Sequence, residues 1–181
     1  MKLIILDRDG VINYESIEYI KTPEEWIPIP GSLEAIARLT KWGYTVVVAT
    51  NQSGVGRGLY DLATLEKIHE KMHQGVQALG GSIAAIFFCP HIPDEQCNCR
   101  KPKPGLLRQI ETHFKIDLKG VIFIGDTVYD IEAARAMGCR SVLVKTGRGL
   151  ETLASNIDLK DIPIYNDLAE AVDAIKTSKN Y

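Results

Sequence analysis

Five short apolar runs, KLIIL, YTVVVAT, AAIFFC, GVIFIG and SVLV, recur along the chain, each followed by a helical or loop segment. Runs this rich in Val, Ile and Phe fit strands buried on both faces. Such strands, alternating with amphipathic stretches, form a parallel sheet, since parallel neighbours need a crossover between them. The pattern predicts an α/β fold: a Rossmann-like three-layer parallel sheet with helices on both faces.

The helical stretches carry their own punctuation. Apolar residues at Leu33, Ile36, Ala37 and Leu39 predict a helix over 32–42 that stops before Gly43. Asp61 reads as the N-cap of a longer helix with a face of Leu62, Leu65, Ile68, Met72, Val76 and Leu79. Further helices are expected to begin near Pro104 and near Asp130, and a last one to run from Asp167 to about Lys176. A length of 181 residues suits one domain, 1–176, with 177–181 as a tail.

Composition narrows the partners. The net charge is -2 with both signs intermixed, which predicts neither nucleic acid nor a membrane surface as a partner. The apolar run before Asp7 is too short for a signal peptide or a membrane span, so a cytoplasmic monomer is expected. In that reducing setting, clustered cysteines point to metal rather than disulfides.

Chemistry-bearing residues gather where predicted strands end, at the carboxyl edge where open parallel sheets bind ligands. After the first strand comes DRDG, with Asp7 and Asp9 two residues apart and able to converge; alone, such a pair is equally a solvated turn. Two carboxylates together call for a cation, and a hard divalent ion such as Mg²⁺ suits oxygen ligands. After the second strand comes TNQSGVGRG, whose Thr50 and Ser53 hydroxyls and Asn51 and Gln52 amides suit phosphate oxygens. After the fourth comes GDTVYD, offering Asp126 as a metal carboxylate and Asp130 as a helix cap or outer-shell acid.

A separate cluster, Cys89, His91, Cys97 and Cys99, has the composition of a closed structural Zn²⁺ site, while Cys139 stands apart as a core residue. The stretch from His69 to His73 spells H-E-x-x-H, the helix of zinc proteases. Its charged neighbours and the lack of a third ligand favour a solvated helix surface instead.

Together DRDGVIN, TNQS, the lysine of CRKPKPG and GDxxxD resemble the four motifs of the haloacid dehalogenase superfamily of phosphotransferases, over Leu3 to about Val144. With TNQSGVGRG and the Cys/His loop, the chain is similar to the histidinol-phosphate phosphatase-like subgroup, which includes sugar bisphosphate phosphatases. The resemblance implies an Mg²⁺-dependent phosphomonoesterase with Asp7 as nucleophile and Asp9 as acid and base. It assigns Thr50 and Lys101 to the phosphoryl oxygens, with Lys103 as the rival lysine. Mg²⁺ would be held by Asp7, Asp9 through its carbonyl, and Asp126, with Asp130 behind them. Asn51, Gln52, Ser53 and Arg100 are expected to bind substrate, Arg100 through a distal anionic group. The implied substrate is a small sugar phosphate, a heptose bisphosphate of activated-heptose (lipopolysaccharide core) synthesis.

The segments after Asn13 and Asn51 are too short for a large cap domain, so the zinc loop and 14–26 are expected to enclose the substrate. Three other readings compete: an amino-alcohol phosphate such as histidinol phosphate as substrate, a phospho-Asp receiver switch, and a zinc-dependent nucleic-acid binder. Arg100 opposes the first by charge, Asp9 and the zinc loop are superfluous to the second, and the third lacks a basic face.

Overall fold

The computed structural model describes residues 1–177. Six parallel strands, β1 (Lys2–Leu6), β2 (Tyr44–Asn51), β3 (Ala85–Cys89), β4 (Ile122–Gly125), β5 (Arg140–Val144) and β6 (Ile164–Tyr165), lie in the order 3-2-1-4-5-6. This is the strand order of a doubly wound sheet, with β1 at the centre between β2 and β4. Among the described residues no helix is long and apolar enough to cross a membrane.

Strand alternation sorts the core into two layers. Ile4 and Leu6 of β1, with Val46 and Val48 of β2, face helices α1 (Ser32–Lys41), α3 (Leu62–Ala78) and α7 (Leu168–Thr177). Leu3 and Ile5, with Val47 and Ala49, face α4 (Gly105–Phe114) and α5 (Val128–Ala136). Each such fully buried aliphatic side chain contributes about 2 kcal/mol of transfer free energy. The every-residue apolarity of β1 is thus the direct consequence of having helices on both sides.

Several expected boundaries move for identifiable reasons. Asp61 caps α3 as expected, accepting from the Thr64 N–H at 2.8 Å, but Leu62 and Leu79 at the ends of the apolar stripe are exposed. The helix expected near Asp130 starts at Val128, because Thr127 is its N-cap and Asp130 closes the capping box. Thr177 belongs to α7; the rest of the expected tail, 178–181, lies outside the described residues. The two-residue β6 and the short helices α2 (Ser53–Gly56) and α6 (Gly149–Ala154) carry too few residues for a periodic signal.

Two glycines let the β1 and β5 loops close on each other. Gly10 (φ +82°) and Gly147 (φ +56°) pack on either side of Asp126, and a Cβ on either would lie 2.2 Å from Asp126 Oδ2. Gly10→Ala combines left-handed strain with this clash, and the expected loss is about 2–4 kcal/mol of unfolding free energy. Urea denaturation measures it; a loss below about 1 kcal/mol would show that the loop accommodates a methyl group.

Candidate active site

The carboxyl ends of β1, β2 and β4 meet at a cavity of about 470 Å³. Asp7, Asp9, Thr50, Asn51, Gln52, Ser53, Arg100, Lys101 and Asp126 all line it, so the structure brings together nearly every residue that the sequence singles out. The 14–26 segment contributes Glu15, Ser16, Ile17, Tyr19 and Ile20 to its wall, as expected for a site without a large cap.

Lys101 is the centre of the floor. Its ammonium, 2% exposed, donates to Asp130 Oδ1 at 2.6 Å and to the Ala49 carbonyl at 2.8 Å, and pairs with Asp7 Oδ1 at 3.0 Å. All three N–H donors are thereby used. Burial alone would lower its pKa, but Asp130 and Asp7 together raise it. Lys103 lies outside this floor, where its ammonium donates to the Cys97 carbonyl at 2.8 Å.

Asp130 is saturated by Lys101, by the Thr127 hydroxyl at 2.7 Å and by the Asp126 and Thr127 N–H groups. Asp126 is not: Oδ2 accepts from the Arg148 N–H at 2.8 Å, whereas Oδ1 is buried without a hydrogen-bond partner. Ligand atoms of Asp7, Asp126 and Asp130 all lie within 4.8 Å of one another. Burial, then the Asp130 charge, pushes the Asp7 carboxyl up to about 7 against the pull of Lys101. Burial and the same neighbours drive Asp126 well above the usual carboxylate range. An orphaned buried oxygen among crowded carboxylates fits a hard divalent cation.

Asp9 is held differently. Although burial opposes it, the Arg8 guanidinium and hydrogen bonds from Asn13 and Gln52 hold its carboxyl below the usual range. The structure also turns the expected substrate-binding amides inward. The Asn51 amide exchanges two 3.0 Å hydrogen bonds with the Lys101 backbone, and the Gln52 Nε2 donates to Asp9 Oδ2 and Thr50 Oγ1. Both side chains brace the machinery and have little left for a substrate. Ser53 opens α2 and is nearly buried, and Arg100 rests one N–H on the His91 carbonyl at 3.5 Å.

Other site residues escaped the sequence reading. Arg8 is fully buried behind Asp9, and Arg148 with Thr152 fastens Asp126 from the loop after β5. The glycine-rich KTGRG after the fifth apolar run was the available signal for that loop. His69 requires a correction. Rather than sitting on a solvated surface, it is 8% exposed, with Nε2 at 3.2 Å from Arg8 Nη1. An α3 stripe that packs on the sheet carries it beneath the site.

The four donors of the cysteine cluster converge. Sγ of Cys99 lies 3.1 Å from that of Cys89 and 3.6 Å from that of Cys97, and His91 Nδ1 lies 3.3 Å from Cys99 Sγ. Ligands of a tetrahedral zinc stand about 3.4–3.8 Å apart, and these donors lie within a few tenths of an ångström of that spacing, so the set fits Zn²⁺. Against the effect of desolvation, the Arg100 N–H and the neighbouring thiols draw Cys97 down to about 7, which favours a metal-binding thiolate. Cys139 lies apart, packed against the α4–α5 side of the core, and burial pushes its thiol up to about 12.

A parallel sheet with carboxylate- and amide-bearing strand ends around a buried lysine is the fold and site of a phosphoric monoester hydrolase of the haloacid dehalogenase superfamily. The HAD-hydrolase-like family model matches residues 98–171. D-glycero-β-D-manno-heptose-1,7-bisphosphate 7-phosphatase of Pseudomonas aeruginosa is 56% identical over 96% of this chain and 97% of its own length. The counterpart of Bordetella bronchiseptica is 51% identical, over 97% and 98%. A crystal structure of the D,D-heptose 1,7-bisphosphate phosphatase from B. bronchiseptica, complexed with magnesium and phosphate, superposes with a TM-score of 0.94, covering 97% of this chain and 98% of that one. The chain belongs to the D-glycero-D-manno-heptose-1,7-bisphosphate 7-phosphatase family.

Two outcomes test the site. Cys99→Ser is expected to lose zinc and about 10–100-fold in kcat/KM, read by metal analysis and phosphate release. Unchanged kinetics in a zinc-free variant would make the cluster a remote staple.

The second concerns acid stability. Burial, then Arg8, holds His69 down at about 3 in the folded chain, against about 6.5 unfolded. The unfolded chain thus binds the extra proton below about 6.5, and stability present above that pH falls by roughly 1 kcal/mol per unit toward 3. His69→Gln should flatten this slope in urea titrations between pH 6.5 and 4.5; parallel slopes would refute the assignment.

Proposed function

We propose that the chain hydrolyses the 7-phosphate of D-glycero-β-D-manno-heptose 1,7-bisphosphate through a phospho-Asp7 intermediate. The observation that carries this reading is the cavity itself, with an Asp7–Lys101–Asp126 floor beneath a rim that includes Arg57, Arg100 and Arg148. A floor of that kind serves one phosphate, and a cationic rim serves another. The β anomer is favoured because the relatives at 48–58% identity carry it in their names, whereas the relative named for the α anomer is 35% identical. The arginines disfavour an ammonium-bearing amino-alcohol phosphate, and Asp9 has no task in a receiver switch.

Asp7 is the group that attacks phosphorus. Its Oδ forms the new P–O bond as the bond to the sugar C7 oxygen breaks; Asp9, ionised in the free site, takes up a proton from cavity water as the substrate binds and delivers it to that departing oxygen. Asp9, now a carboxylate, then takes a proton from the water that releases phosphate and restores Asp7. The Thr50 hydroxyl accepts from Gln52 and so directs its own proton outward, to a phosphoryl oxygen. Lys101, rather than Lys103, sets the charge beside Asp7. Mg²⁺, held by Asp7, the Asp9 carbonyl and Asp126, would neutralise phosphoryl charge when bound. Asp130 keeps Lys101 and the start of α5 in register.

Arg100 follows the zinc ligands directly, so the clamped loop presents it at the rim for the distal phosphate. Phosphate release from both anomers, with Mg²⁺ present, provides the test. Wild type should prefer the β anomer and exceed Asp7→Asn by at least ~10³-fold. Equal rates for wild type and Asp7→Asn would refute the mechanism, and preference for histidinol phosphate would refute the substrate.

A further inference from the structure

Arg8 stands between Asp7 and Asp9 in sequence, and its side chain is wholly withdrawn from solvent. Its Nε donates to Asp9 Oδ1 at 2.9 Å, and its Nη2 donates to Asp9 Oδ2 at 3.1 Å and to Gln52 Oε1 at 3.0 Å. Nη1 meets His69 Nε2 at 3.2 Å. A guanidinium has donors only, so His69 accepts there and keeps its proton on Nδ1. The Gln52 carbonyl, taken by Arg8 and by the Tyr60 hydroxyl at 2.8 Å, forces its Nε2 toward Asp9 Oδ2, at 2.9 Å.

Asp9 is therefore held at both oxygens. Oδ1 accepts from Arg8 Nε and from Asn13 Nδ2 at 2.8 Å, while Oδ2 accepts from Gln52 Nε2 and Arg8 Nη2. In this arrangement no position of the carboxyl is left for a sugar oxygen. Each oxygen has one guanidinium donor and one amide donor, but only the Oδ2 amide, Gln52, lines the cavity, whereas Asn13 is fully buried; freeing one position therefore costs least at Oδ2, which can then take up from cavity water the proton it delivers.

We propose that Arg8 is the positioning residue for Asp9: with Asn13 it pins Oδ1 as a pivot, while Oδ2 exchanges Gln52 for the departing sugar oxygen. The proposal rests on the reading of Asp9 as acid. It gives the arginine of DRDG a task apart from charge balance, and makes His69 and Gln52 the supports that fix the guanidinium's plane. No group on this path other than Asp9 touches the reacting atoms.

Leaving-group dependence separates positioning from mere structure. A sugar oxygen must be protonated as it leaves, whereas p-nitrophenolate departs without a proton. The quantity read is kcat/KM, which ends at phosphoryl transfer to Asp7 and so omits Asp9's later work on water. Arg8→Lys keeps the charge and loses the fork. Its loss with the heptose bisphosphate should exceed its loss with p-nitrophenyl phosphate by about 30-fold, and Asp9→Asn should show a ratio of the same sign and size. His69→Leu, which leaves the guanidinium without its third support, should show a smaller split of the same sign, and it decides alone if Arg8→Lys does not fold. Absence of a split in Asp9→Asn would overturn the reading of Asp9, and the proposal with it. A split in Asp9→Asn but equal losses, or none, on both substrates in the other variants would overturn the role of Arg8 alone.

Discussion

The contact on which the site depends is the buried ammonium of Lys101 between Asp7 and Asp130. Asp7 and Asp126 lie at the ends of β1 and β4, neighbours in the centre of the sheet, and Asp130 lies in the first turn of α5. Withdrawn from water, they repel one another strongly, and a single lysine cannot balance three negative charges. Burial first, and then this mutual repulsion, pushes the carboxyls of Asp7 and Asp126 above the usual range. A site built this way gains stability from a bound cation, which is the same requirement that phosphoryl transfer imposes.

Holding Lys101 there takes help from elements far apart in sequence. The Asn51 side chain, at the end of β2, grips the Lys101 backbone from both sides, and Ala49 of the same strand accepts from its ammonium. The preceding residues are fixed by the Cys97 and Cys99 ligands, which places the metal loop and the catalytic floor on one short covalent path. The cysteines thus act on the phosphate site through backbone geometry, with no need to touch a substrate.

What was legible in the sequence is what strand periodicity and fixed spacing encode. The apolar runs located five of the six strands, and the residues immediately after them located Asp7, Asp9, Thr50 and Asp126, because a strand end fixes direction as well as position. The convergence of Cys89, His91, Cys97 and Cys99 was legible from donor chemistry alone. What stayed hidden depends on side-chain direction after folding. Asn51 and Gln52 are polar strand-end residues like Thr50, yet their amides turn to Lys101 and Asp9, and only the assembled loops decide this. His69 looked like surface because its helical neighbours are charged; its burial follows from the packing of α3 over the end of β1, which periodicity does not report.

The distribution of committed and exposed side chains separates the floor of the cavity from its rim. Below the cavity, Arg8, Lys101 and Asp130 are all but sealed from solvent, and each has its hydrogen bonds committed to other protein groups. Committed donors cannot readily re-aim, so the floor's geometry is set by folding. The rim is the opposite case: Arg57 and Arg148 are exposed on loops, and the side chain of Arg148 pairs with Glu151 across water-accessible surface. Exposed pairs of this kind contribute little to stability, on the order of 0–1 kcal/mol, so exchanging them leaves the fold intact. Substitutions at the rim therefore cost the fold little, whereas substitutions in the floor break a buried hydrogen-bond network and disturb folding directly. Folding thus fixes the floor and leaves the rim free to vary.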